Sequence, residues 1–109
     1  MTKNQQANPN AMSNQPDLTR QELIKLIAVA TQPLDLTGVN LSGVDLSYLN
    51  LRQADFTYAI LSGTNLDHTD LSGANLYHAD LQGTDLTSAY LTDANLADVD
   101  GVDLTKANG

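Results

Sequence analysis

From residue 34 onward a large apolar residue recurs at every fifth position, as Leu36, Leu41, Leu46 and Leu51, then Phe56, then Leu61 and each fifth residue to Leu96. An α-helix turns about 100° per residue, so positions five apart scatter around its axis and form no stripe. In a straight strand side chains alternate, and an odd period throws successive leucines onto opposite faces. A chain that turns about 90° once per repeat escapes both objections, because each five-residue segment then points its centre at one shared axis. Small or β-branched residues two positions before the centre, from Val39 and Val44 through Ala54, Ala59, Thr64, Thr69 and on to Ala94, point to the same axis. Four repeats close one coil, and residues twenty apart become neighbours. The pattern predicts an all-β, quadrilateral parallel β-helix whose coils stack at about 4.8 Å, with Leu36, Phe56, Leu76 and Leu96 forming one core ladder.

Two polar positions complete the repeat. Asp or Asn precedes the centre everywhere except at Ile60 and Tyr90. Because Asn and Asp alternate freely there, the position calls for a hydrogen-bond acceptor at a corner and not for charge. Gly38, Gly43, Gly63, Gly73 and Gly83 all fall two residues after the centre, where a corner needs a permissive backbone.

Ahead of the repeats the pattern changes twice. Residues 1–16 are Asn, Gln, Pro and Ser with little to bury, and read as a disordered tail. Residues 17–33 read as a capping helix and its link. Thr19 is the expected N-cap, Glu22 closes a capping box and Leu18 faces Leu23 as a hydrophobic staple, while Thr31 and Pro33 stop the helix after Ala30. Leu23, Ile24, Leu26, Ile27 and Val29 spread over more than one face, so the helix needs a surface to lie on, and we expect Leu23 and Ile27 to plug the N-terminal mouth of the coil. Residues 34–104 are the β-helix and 105–109 a C-terminal tail. Gly101 stands where a core leucine is due, and the register slips to Leu104. Leu91, Leu96, Val99, Val102 and Leu104 then make either a homodimer contact through the C-terminal coil or an edge kept solvated by Asp98, Asp100 and Asp103.

The A(D/N)LXX motif in Ala74-Asn75-Leu76, Ala79-Asp80-Leu81 and Ala94-Asn95-Leu96 resembles the pentapeptide repeat family, over about 65 residues from Leu34 to Asp98. The resemblance implies a right-handed, four-sided parallel β-helix. It also implies a family abundant in cyanobacteria, often without assigned activity, in which some members imitate DNA and bind type II topoisomerases such as gyrase.

Composition narrows the function classes. Thirteen acids against five Lys and Arg leave a net charge of -8, which repels nucleic acid and membrane surfaces and favours basic partners. With no Cys, thiolate metal sites, cysteine nucleophiles and disulfides are excluded. The apolar run Leu23 to Ala30 is too short for a bilayer and contains Lys25. Its Ala28-Val29-Ala30 end imitates a signal cleavage site, but the segment before it is rich in Asn and Gln and carries Asp17 and Glu22. The expected compartment is the cytoplasm, with periplasm or thylakoid lumen as the alternative if that run were a signal.

Candidate chemistry is sparse. His68 and His78 share the corner position but lie ten residues apart, half a coil, so they cannot share a metal ion. Tyr48 lies twenty residues before His68, and Tyr58 twenty before His78, so each histidine is expected to stack on a tyrosine, first of all as surface packing and alternatively as a candidate recognition patch. No cofactor motif is present, and a narrow packed prism offers no catalytic cavity. The expected role is a non-enzymatic interaction module with an unidentified protein partner. The alternative is an acidic DNA mimic, which residues 34–108 suit with eleven acids against Arg52 and Lys106. Coils stacked at about 4.8 Å give a rod of about 15 Å, the length of only four or five base pairs.

Overall fold

The computed structural model describes residues 15–102 together with 107 and 108. Most of the 1–16 tail, Leu104 and most of the 105–109 segment therefore lie outside the described residues. Coils repeat every twenty residues, and four parallel bridges, one per repeat, join the first coil to the second and the second to the third. Asp35 pairs with Asp55, Asp55 with Asn75 and Asn75 with Asn95, and the neighbouring ladder runs Asn40, Ile60, Asp80 and Asp100. The other two begin Asp45–Asn65 and Asn50–Asp70. Pairing is confined to these single-residue bridges, because the backbone turns again before a second residue can pair. The ladder bonds repeat between levels: Leu36 N donates to Asp55 O at 2.8 Å and Asp55 N to Leu34 O at 2.9 Å.

Each corner is a tight turn in which the N–H three residues after the centre donates back to the centre's carbonyl, as from Val39 to Leu36 and from Ala54 to Leu51. Positive φ at the third residue of such a turn is the type II signature. All thirteen repeats from Leu36 to Leu96 show it, but only five use glycine. Tyr48, Gln53, Tyr58, His68, His78, Ser88, Asp93 and Asp98 take φ between 58° and 64° with a side chain in place. Each such residue costs about 1–2 kcal/mol of backbone strain, which the ladder bonds on either side hold in place. Glycine therefore marks only some of the corners.

The interior is filled by the two positions that the pattern aimed at the axis. The centres from Leu41 through Leu81 are buried, Phe56 completely, and so are Ala54, Ala59, Ala74, Ala79 and Ala89. Where threonine takes the small position its hydroxyl is satisfied by the backbone: Thr64 Oγ1 donates to Leu61 O and Thr69 Oγ1 to Leu46 O, both at 2.8 Å. Leu96 departs from its ladder mates. It is only partly buried, and among the described residues no repeat of the same ladder lies beyond it.

The one α-helix among the described residues, α1 (Arg20–Val29), lies over the first coil. Thr19 Oγ1 accepts from Glu22 N at 3.1 Å while Glu22 Oε1 accepts from Thr19 N at 2.8 Å. Leu23 is wholly buried, and Leu18 and Ile27 pack partly against the same core. The helix buries a narrower stripe than its composition implied. Ile24 and Leu26 are more than a third exposed and Val29 is 75% exposed, so Leu23 alone of the helix is wholly enclosed.

Polar groups close the upper edge. Asp17 N donates to Asn40 O at 2.7 Å, and Asn40 N donates to Asp17 Oδ2 at 2.8 Å, so one aspartate supplies both bonds that another coil would have made there. On the next side the Arg20 guanidinium donates to Asp45 O at 2.8 Å. An edge so occupied cannot template another chain.

At the other end Gly101 keeps φ near 67°, and a Cβ built on it would come within 2.9 Å of Gln82 Cα, so the expected leucine has no room there. The chain nevertheless regains the ladder. Asn108, inside the segment expected as a tail, bridges Tyr90, with Asn108 N donating to Ala89 O at 2.7 Å and Leu91 N to Asn108 O at 2.8 Å. Elsewhere ladder partners are twenty residues apart; Tyr90 and Asn108 are eighteen apart.

Candidate interaction surface

The corner geometry decides which side chains face outward. At eleven positions the Asp or Asn before the centre accepts the backbone N–H two residues on: Asp35 from Thr37, Asn40 from Ser42, Asp45 from Ser47 and so along the chain to Asn95 from Ala97. Aspartate and asparagine make the same bond at 3.2 Å or less. The acids at this position therefore have a local structural task. Among the described residues no group of three His, Asp or Glu side chains is gathered as a metal site.

Some of these carboxylates are nonetheless tuned. The Ser47 hydroxyl, then its N–H, holds Asp45 below its usual pKa, and Thr57 does the same for Asp55. At Asp70 partial desolvation pushes upward, but the Ser72 hydroxyl and N–H and the Arg52 guanidinium together outweigh it and leave the carboxyl lowered. A carboxylate whose folded pKa is depressed adds stability above its unfolded value of about 3.9, and that stability is lost as pH falls through the folded value. Asparagine keeps the acceptor and removes the titration. A variant carrying Asp45→Asn, Asp55→Asn and Asp70→Asn is therefore expected to melt somewhat below the parent at pH 7, where the ionised carboxylates contribute, and to lose less melting temperature than the parent when taken from pH 5 to pH 3. Thermal melts followed by circular dichroism check this, and equal losses in the two proteins would show that other groups control acid sensitivity.

The four residues expected as a recognition patch all sit at positive-φ corners, two on each of two opposite corners. His68 lies over Tyr48 with centroids 4.8 Å apart and planes 4° from parallel, and His78 over Tyr58 at 4.9 Å and 12°. These separations match the coil spacing, so the stacks follow from the twenty-residue register. The two corners differ in their surroundings. His68 Nδ1 donates to Asp67 Oδ1 at 2.9 Å. At the other corner Tyr77 meets Tyr58 and His78 edge-on, at 5.9 and 4.7 Å, and Asp98 Oδ2 lies 3.8 Å from His78 Nε2. Tyr77, which precedes His78 by one residue, escaped the sequence reading because a period of twenty pairs only like positions. Tyr48 and Tyr58 are 68% and 57% exposed, and Ile60 and Tyr90, the two breaks in the Asp/Asn rule, also face outward.

Concave features are shallow. An open depression of about 310 Å³ runs between the link after α1 and the first coil, lined by Ile27, Pro33, Leu34 and Arg52 among others, and a second of about 300 Å³ lies around Arg52, Ser72 and Thr92. Arg52 in both is engaged by Asp70 at 3.2 Å. No described helix is long and apolar enough to cross a membrane.

Comparison with known proteins agrees with this architecture. No curated protein matches the chain. Among solved structures, the pentapeptide repeat protein Rfr23 from the cyanobacterium Cyanothece 51142 is 30% identical with a TM-score of 0.54, the match covering 68% of this chain and 52% of that one. The chain thus spans about half the length of that protein. A pentapeptide repeat protein from the Arabidopsis thaliana thylakoid lumen is 35% identical over 72% of this chain and 61% of its own, with a TM-score of 0.37. Another from Nostoc PCC 7120 is 30% identical over 86% and 98%, with a TM-score of 0.34. A family model for pentapeptide repeats, in eight copies, matches residues 35–73 and 69–108. With that span and the A(D/N)LXX register that sets every twenty-residue bridge, the chain belongs to the pentapeptide repeat family.

Proposed function

We propose that this chain is a right-handed, four-sided β-helix serving as a non-enzymatic protein-interaction module, whose contact surface is the corner carrying Tyr58, Tyr77 and His78. The observation that carries the reading is the three-ring cluster itself. Tyr58 and His78 are exposed and Tyr77 half-buried beside them; rings held by backbone register, with two of the three at strained φ, provide contact area at little conformational cost on binding. The Tyr48–His68 stack is a smaller companion site. A partner meeting this acidic protein is expected to be basic at its contact. A cytoplasmic setting is part of the same proposal, as is a tail role for residues 1–16.

Capture from a cell extract on immobilised protein, with quantitative identification of the bound set, compares the parent with a Tyr58→Ser, His78→Ser double variant of equal helical and melting signature. Proteins enriched by the parent and lost by the variant are the expected result. An identical bound set with both baits removes this corner from the function.

The DNA-mimic alternative draws support from the acidity alone. Among the described residues each ladder column has at most four levels, as in Asp35, Asp55, Asn75 and Asn95, spanning about 15 Å at the coil spacing. A type II topoisomerase supercoiling reaction unaffected by micromolar protein is the expected result, and inhibition or protection would restore that reading.

A further inference from the structure

The outer end of the Tyr58 stack points to a ligand class. Gly38, Tyr58, His78 and Asp98 share one corner at successive levels, all with positive φ. Tyr58 has one ring face against His78, and the level on its other side belongs to Gly38. A methyl group placed on Gly38 would meet no atom within 4 Å, so a side chain could stand at that level. Glycine puts none there, and Tyr58, 57% exposed, has His78 on one face and no ring stacked on the other. On the opposite corner the residue twenty before Tyr48 is Ala28, which lies in α1 and outside the coil register.

We infer that the open level above Tyr58 is a seat for a planar cation, the guanidinium of an arginine in a basic partner segment; this rests on the interaction-module reading and names the chemistry of its partner. The shape argument is that the stack is spaced at 4.9 Å, which admits a flat group lying parallel to the ring. The charge argument is local as well as global. Asp35 and Asp55 pair with each other on the same side of the coil, in the repeats that carry Gly38 and Tyr58. Asp35 receives both the N–H and the hydroxyl of Thr37 on Oδ1 alone. An aromatic face attracts cations, and a guanidinium both stacks on it and sheds water more readily than an ammonium. The net charge of -8 draws such a segment in.

The test uses the full chain labelled for NMR and three short peptides that differ only in carrying two arginines, two lysines or two citrullines. The arginine peptide is expected to move the Tyr58 ring and Gly38 amide resonances and to bind about two- to fivefold tighter than the lysine peptide. The citrulline peptide is expected to leave them unmoved. Gly38→His places an imidazole at the open level, at a φ that His68 and His78 already adopt, and is expected to abolish the arginine preference. Tyr58→Leu keeps bulk without the ring, should do the same, and serves if the first variant does not fold. Equal affinity for arginine and lysine peptides, an arginine preference that survives both variants, or shifts centred on another corner each overturn the inference. No arginine preference, together with partner capture that still depends on Tyr58 and His78, removes the guanidinium seat and leaves the interaction surface standing. An arginine preference with capture unaffected by those variants upholds the seat and moves the partner surface elsewhere.

Discussion

Leu23→Asp is expected to abolish the cooperative thermal transition of the whole domain, although the substituted residue lies outside every repeat. Leu23 is wholly enclosed, so the change forfeits about 1.5–3 kcal/mol of apolar burial. It also places a carboxylate against the leucine core, where an unpaired ion costs several kcal/mol more or must stay protonated. The stack has little reserve against such a loss, because about three repeating units are the least that bury a continuous core and here the coils number little more than three. Two controls separate the lid from the helix as such. Ile24→Asp, next in sequence but on the outward side of α1, is expected to shift the melting temperature only slightly, and Leu23→Met to cost under about 1.5 kcal/mol. Circular dichroism melts of the three variants decide the matter. A Leu23→Asp protein that melts cooperatively within a few degrees of the parent would mean that the first coil is closed by something other than α1.

The placement of Leu23 is legible in the sequence, since the capping box at Thr19 and Glu22 fixes where the helix begins and hence which residue turns toward the core. The coil was equally legible, because a period of five excludes both regular alternatives and the Asp/Asn position already implied an acceptor for a corner N–H. Other features needed the register. Asp17 meets Asn40 and Arg20 meets Asp45 across 23 and 25 residues, and nothing local distinguishes that aspartate and arginine from ordinary surface charges. The positive φ of Tyr48, Gln53 and Tyr58 could not be read, because it is imposed by the ladders above and below and opposes the residues' own preference. Apolar composition overstated the buried face of α1, since Ile24, Leu26 and Val29 are counted equally with Leu23 until the width of the coil is known. Nor does the sequence announce that Asn108 returns to pair with Tyr90 after the period has broken at Gly101.

Phe56→Ala is expected to lower the unfolding free energy by about 3–5 kcal/mol, measured by urea denaturation, whereas Leu96→Ala in the same ladder should cost distinctly less. Both are centres of A(D/N)LXX-type repeats and look alike in the chain. Their difference is one of level: Phe56 has Leu36 and Leu76 in its ladder above and below it and is wholly buried, while Leu96 ends the ladder and is only partly buried. A cavity at Phe56 also weakens the contact between neighbouring coils, and in a stack where each coil touches only its neighbours such a break leaves fragments of fewer coils than are stable alone. The transition should therefore remain single and move to lower denaturant. The comparison also probes the C-terminal end, where a homodimer contact through Leu91, Leu96, Val99, Val102 and Leu104 stands against an edge kept solvated by Asp98, Asp100 and Asp103. In a monomer Leu96→Ala loses only the partial burial seen here. If Leu96→Ala instead costs as much as Phe56→Ala, and the parent's denaturation midpoint rises with protein concentration, a second copy covers Leu96 and the stack continues across the interface.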